Sequence, residues 1–193
     1  MKHLSDQELM RIVQGGDFSP ASEIYDRYSG RIYNFALRFL KNSEAAEDAT
    51  QEVFVKMIRH ANQFQGDAKL STWLFSITAN WCRDYLRKAD NKTKESDDVL
   101  VTLPASAEHS PDRRLEQRED EQRVQHALLS LTPEQREAIL LSRYQGLSYA
   151  EIAQISGCSE GAVKTRVFRA METLKKALTS EPRRGDRCLN VVR

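Results

Sequence analysis

Between Ser148 and Leu178 two helix starts flank one glycine, and this arrangement constrains the fold more than any other part of the chain. Ser148-Tyr149-Ala150-Glu151 has the form of a capping box, in which the serine hydroxyl and the glutamate satisfy each other's free backbone N–H groups. Ile152, Ala153 and Ile155 follow at helical spacing. Gly157 then interrupts, where a left-handed residue closes a helix without a Cβ penalty. Ser159 can cap a second helix running from about Glu160 to Leu178. Ala153 is small enough for a close crossing, and Val163 and Val167 face back from the second helix. Two helices joined by a short glycine turn form a helix-turn-helix.

The opposite side of the second helix carries Lys164, Thr165, Phe168 and Arg169. An arginine reads guanine with two hydrogen bonds, and a threonine or phenylalanine touches a thymine methyl. Side chains near the start of such a helix reach base edges, while Ser159 and the first free N–H groups suit a phosphate. The bland alternative is a three-helix bundle with a solvated basic face. Cap, small residue, glycine, apolar pair and basic stripe all fall at the right spacing, which favours DNA.

Elsewhere helix signals dominate and strand signals are nearly absent, so the expected fold class is all-α. Ser5-Asp6-Gln7-Glu8 caps a short helix that Gly15-Gly16 ends. Ser19-Pro20 restarts the chain, and Ile24, Tyr28, Ile32, Phe35 and Phe39 repeat at helical spacing. Ser43 is expected to cap a third helix with Ala49, Val53 and Met57 on its apolar face, and Ser71 a fourth with Trp73, Leu74, Ile77, Trp81 and Tyr85. From about Lys88 to Leu115 the periodicity dissolves among Pro104, Pro111, serines and charges, which reads as a flexible linker. Val124, Leu128 and Leu131 resume it, and Thr132-Pro133-Glu134-Gln135 caps a helix that stops near Gly146.

The net charge of the 193 residues is +1, so bulk electrostatics do not announce a polyanion partner, but the distribution is uneven. Residues 95–121 carry nine acids against three arginines, whereas 83–94 and 164–176 lean basic. Basic surfaces separated by an acidic connector can hold a polyanion in a nearly neutral chain. Cys82, Cys158 and Cys188 are far apart without a C-x-x-C pair, so neither a zinc ribbon nor a redox motif is expected, and the first two read as apolar filler. The four histidines are scattered, with no metal-ligand spacing, phosphate loop or nucleophile motif, so no cofactor, metal, small-molecule substrate or catalysis is expected. Charges interrupt every apolar run well before the roughly 18 residues of a membrane span, and the N-terminus lacks a signal-peptide core. A cytoplasmic protein is the expectation.

Phe64-Gln65-Gly66-Asp67, Ser71-Thr72-Trp73-Leu74, Ala79-Asn80 and Asp84-Tyr85-Leu86-Arg87 form a distinctive string, with Asp48-Ala49-Thr50-Gln51-Glu52-Val53-Phe54 upstream. This string resembles region 2 of the extracytoplasmic-function sigma factors of the sigma-70 family, and Leu131–Leu178 resembles their region 4. The resemblance implies a region 2 domain over 1–90, a linker over 91–118, a region 4 domain over 119–180 and a basic tail over 181–193. It implies an alternative sigma factor that binds RNA polymerase core through the β′ clamp helices and β flap. Such a protein directs initiation in a stress or envelope response, held by an anti-sigma factor, in places at the inner face of the membrane.

By the same resemblance, Asp48, Gln51, Glu52 and Phe54 meet the polymerase. Phe64, Gly66, Asp67, Ser71, Thr72, Trp73, Asn80, Arg83, Asp84 and Arg87 meet the −10 element, the loop taking an unstacked base. Ser159, Glu160, Lys164, Thr165, Arg166, Phe168 and Arg169 meet the −35 element. Read from the residues alone, the acids near Asp48 are an ordinary solvated face, and tryptophans at helical spacing are core more often than base platforms. A competing reading, a dimeric helix-turn-helix regulator, has no place for the string from Trp73 to Arg87.

Overall fold

A computed structural model describes residues 4–95 and 123–180, with side chains from 4–91 and 123–179; most of the expected linker, the basic tail and Cys188 lie outside the described residues. Helices α1 (Asp6–Gln14), α2 (Ala21–Leu40), α3 (Ser43–Arg59) and α4 (Leu70–Glu95) come first, with a short 3₁₀ turn over Ala61–Gln63. Helix α5 spans 123–129, and α6 (Pro133–Ile139) runs into a wide turn over Leu140–Tyr144. Helices α7 (Tyr149–Ser156) and α8 (Glu160–Ser180) complete the chain, and the described residues contain no strand.

The helix starts follow local chemistry. Ser5, Thr132 and Ser148 each close a capping box, accepting from Glu8, Gln135 and Glu151 N–H groups. Three starts differ from expectation. Pro20, expected at the first helical position, is the N-cap of α2, which begins at Ala21. Asn42, not Ser43, caps α3, its side chain accepting from Ala45 N–H. Helix α4 begins at Leu70, with the Trp73 N–H donating to Lys69 O, so Ser71 lies inside the first turn. Leu70 is buried, and its packing draws the helix start forward. Helix α4 also continues to Glu95, into the segment whose lost periodicity suggests linker. A helix already nucleated by a packed face propagates cheaply through lysines and alanine.

Helices α1–α4 bury Leu9, Met10, Ile24, Ile32, Phe35, Phe39, Met57, Leu74 and Phe75 in one core. Cys82 is fully buried among them, and burial pushes its thiol far above the ordinary range, as apolar filler should be. In the second unit Leu128, Ile139, Leu141, Ile152, Val163 and Val167 are buried around α6–α8.

The two units also pack on each other: their buried apolar residues join in one cluster, and polar groups bridge them as well. The Arg136 guanidinium is buried and donates to Leu128 O (2.9 Å), Leu129 O (3.2 Å) and Leu131 O (3.1 Å) in its own unit, and to Phe39 O (2.7 Å) at the end of α2. Gln125 donates to Leu37 O and Arg38 O beside it. Arg31 donates to Gln145 at 3.1 Å, and Arg38 lies over the Tyr144 ring.

Candidate nucleic-acid interface

Helices α7 and α8 form the expected helix-turn-helix. Gly157 takes φ 61° and ψ 39°, and its N–H donates to Ala153 O. Ile152 and Ile155 are buried, as are Val163, Val167 and Ala170 on the facing side of α8. Ser159 Oγ accepts from Ala162 N–H (3.2 Å), so the hydroxyl caps α8. With one face of α8 buried, Lys164, Thr165, Phe168 and Arg169 project outward. Phe168 is 64% exposed. Thr165 Oγ1 donates to Gly161 O, which fixes its rotamer. Glu160 is exposed in the first turn, whereas Arg166 turns back to donate to Cys158 Sγ at 3.4 Å. Met171 is exposed three residues after Phe168 and lengthens the apolar part of the stripe; that spacing was the signal for it in the sequence.

The expected −10 residues divide into three groups. Phe64 is buried, its ring 5.4 Å from that of the half-buried Trp73. Gly66 bends the loop at φ 82°, leaving Asp67 exposed and Ser71 half-buried. Asn80, Asp84 and Arg87 are exposed along α4, with Arg87 paired to Asp84 at 3.0 Å. Thr72 and Arg83 are occupied by the second unit. Thr72 is buried and donates to Glu151 Oε1 (3.2 Å), which Lys69 also approaches at 3.2 Å. Arg83 donates to Asn80 Oδ1 (2.6 Å) and Ile155 O (3.1 Å), and lies 3.4 Å from the buried Glu137 carboxylate. Ser156 donates to Glu137 from the other side. Trp81 stacks on Tyr85, ring centroids 5.4 Å apart, as a packing residue.

Glu151 therefore serves two elements. Its partial burial opposes ionisation, but hydrogen bonds from the Ser148 side chain and backbone, then from Lys69 and Thr72, outweigh that and hold its pKa at about 2.

On α3, Asp48 and Gln51 are exposed and Glu52 is half-exposed beside Lys56 at 3.7 Å. Phe54 differs from the expectation that it meets a partner. It is buried, its ring 4.7 Å from Tyr25, because α2 covers that side of the helix. Val55 and Ile58 are the apolar residues α3 exposes; helical spacing groups Ile58 with Ala49, Val53 and Met57 on the apolar face, but the structure leaves it outside the core. A shallow groove lined by Tyr25, Tyr33, Glu47, Thr50 and Gln51 separates α2 from α3. Among the described residues no cluster of His, Cys, Asp and Glu could hold a metal ion, and no helix is long and apolar enough to cross a membrane.

Comparison with known proteins agrees with this layout. Sigma-70 region 2 matches residues 24–92, and Sigma-70, region 4 matches residues 121–174. The RNA polymerase sigma-H factor of Pseudomonas aeruginosa is 32% identical over 180 residues, covering 90% of this chain and 93% of the relative. The ECF RNA polymerase sigma-E factor of Escherichia coli strain K12 is 32% identical over 181 residues, covering 90% and 94%. Among solved structures, the sigma factor RpoE of Bartonella quintana, crystallised with the anti-sigma factor NepR, superposes with TM-score 0.68 at 28% identity, over 83% of this chain and 98% of that one. CnrH, solved with the cytosolic domain of CnrY, shares the fold with TM-score 0.71 at 23% identity, over 92% and 99%. Sequence, fold and relatives agree: the chain belongs to the sigma-70 family as an extracytoplasmic-function sigma factor, a transcription-initiation protein and not an enzyme.

Proposed function

We propose that two DNA-reading surfaces, one on each unit, direct RNA polymerase to its promoters. Residues 1–90 form the −10 and polymerase-binding unit, 119–180 the −35 unit, 91–118 the linker between them and 181–193 a tail. The observation that carries the proposal is the outward stripe of Lys164, Thr165, Phe168 and Arg169 on α8, opposite a buried Val163 and Val167. Such a helix lies in the major groove, where arginine and lysine read base edges and phosphates. Ser159 and Glu160 stand at its entrance. Arg166 braces the turn in this arrangement and acts through it.

The loop Phe64–Ser71 and the face Asn80, Arg83, Asp84 and Arg87 meet the melted −10 strand, where aromatics and arginines stack on bases and hold phosphates. Asp48, Gln51 and Glu52, extended by Val55 and Ile58, meet the β′ clamp helices, and the second unit meets the β flap. Each contact alone is weak. Linking them raises avidity by about 10² to 10⁴. An anti-sigma factor holds the protein, a reading supported by the sigma factor RpoE solved with the anti-sigma factor NepR; it does so in the cytoplasm, in places at the inner face of the membrane.

Run-off transcription tests this with core polymerase, the protein and a panel of genomic fragments beginning with its own upstream region. Discrete transcripts requiring both core and the protein are expected. Specific duplex binding by the protein alone, with no transcripts and no binding to core, would replace the proposal with a free-standing regulator.

A further inference from the structure

Helix α1 lies before the stretch that matches Sigma-70 region 2, yet it touches the loop proposed to receive the unstacked −10 base. Gln14, its last residue, is half-buried. Its side-chain amide donates to Phe64 O at 2.7 Å and to Ala61 O at 3.0 Å. Gln7, two turns earlier on the same face, reaches Gly66 O at 3.4 Å. Among the described residues these are the hydrogen bonds that tie carbonyls of the 61–66 turn to another element.

The helix that carries them is a fixed post. Leu9, Met10 and Val13 are buried in the core, and Ser5 and Glu8 close the first turn. Asp6 is held by Arg27 at 2.9 Å and by the Tyr28 hydroxyl. The loop's own backbone bonds are few, Gln63 N–H to His60 O and Phe64 N–H to Ala61 O. Its 3₁₀ turn is only three residues, and Gly66 sits at a positive φ that its side-chain-free backbone enters and leaves easily.

We infer that Gln14, through the Ala61 and Phe64 carbonyls, is a positioning residue that preshapes this loop for an unstacked base. The physical reason is one of timing. Taking a base from the stack costs a few kcal/mol, and a pocket that must also order itself adds its own entropy to that cost. A donor bridging two carbonyls three residues apart fixes the turn before DNA arrives, and with it the Phe64 ring against Trp73. An amide suits the task because both targets are acceptors, and a carboxylate of the same shape would be repelled by both.

The inference rests on the proposed −10 role of the loop, so the test must separate the two. Holoenzyme is assembled on a promoter found by run-off transcription, with 2-aminopurine placed through the −10 element. Initial binding and the rate of opening are measured separately for the wild type, Gln14→Glu, Gln14→Met and the loop-tip change Asp67→Ala. Both Gln14 variants are expected to slow opening roughly tenfold, as two lost hydrogen bonds should, with initial binding within about twofold of wild type. Gln14→Met removes the donor without adding charge, so the test survives if Gln14→Glu fails to fold. Equal losses in binding and opening would mean that Gln14 only supports the fold, and would overturn the inference. If Asp67→Ala slows opening while neither Gln14 variant does, the positioning role falls and the −10 reading stands. If none of the three slows it, the −10 reading of the loop falls as well, and the inference with it.

Discussion

Replacing Arg136 by methionine should be among the most damaging single changes in the second unit. Arg136 is 7% exposed, and burial pulls its pKa below the ordinary value without partner carboxylates in compensation. Its stabilisation comes from four carbonyls, those of Leu128, Leu129, Leu131 and Phe39, and from the Phe39 ring 5.8 Å away. Hydrogen bonds to a charged group contribute about 1.5–3 kcal/mol each, so the gross sum is large. Desolvating the cation opposes it by several kcal/mol. The carbonyls lie at the ends of α5 and α2, where water recovers part of the loss.

The net cost should be about 3–5 kcal/mol, a large share of the 5–15 kcal/mol typical of a domain. Guanidinium unfolding followed by circular dichroism measures it, and the melting temperature should fall by roughly 6–20 °C at about 2–4 °C per kcal/mol. Arg136→Lys should lose most of the same energy, because one ammonium cannot reach four carbonyls arranged around a planar fork. If Arg136→Met costs below about 1 kcal/mol, or if lysine matches the wild type, the carbonyl-capping argument is wrong.

Three further outcomes follow from the geometry. Phe168→Ala should leave stability within about 0.5 kcal/mol, because the ring is largely in water, while weakening binding of the −35 element in holoenzyme gel shifts. Gly157→Ala should cost about 1–2 kcal/mol in a denaturant titration; an added Cβ meets no atom within 4 Å, so the cost is conformational and not steric. Glu151 has a folded pKa of about 2 against an ordinary 4.5, so its contribution is complete above pH 4.5 and is lost as pH falls towards 2. The stability difference between wild type and Glu151→Gln should therefore shrink between pH 5 and pH 2, and a constant difference would contradict the assignment.

The helix-turn-helix was legible because its determinants are local. The Ser148 cap, Gly157, and the pair Val163 and Val167 sit within one short stretch and behave as their spacing dictates. Where several residues can start a helix, local reading fails. Asn42 and Ser43 are both competent caps, and Asn42 takes the role. The phase of α3 was also hidden. Whether Phe54 or Val55 and Ile58 faces outward depends on where α2 lies, which composition alone does not encode. Arg136 and Glu137 stand in a string of polar residues that reads as a solvated helix surface. Their burial is decided by Phe39 and Arg83, distant in sequence. The Gln14 contacts were invisible for the same reason, since a glutamine ending a surface helix carries no mark of a loop fifty residues away.

The contact between the two units has a consequence for how they can separate. Arg31 meets an amide, Lys69 and Thr72 meet a carboxylate, Arg83 meets a carboxylate and a carbonyl, and Gln125 meets two carbonyls. Water can stand in for each of these partners one for one. Where such pairs hold the seam, parting trades protein hydrogen bonds for solvent ones, and only the apolar part of the shared cluster is left to resist it. The Ser148 cap keeps Glu151 engaged when Lys69 and Thr72 leave, so the reading head need not fray as it swings away.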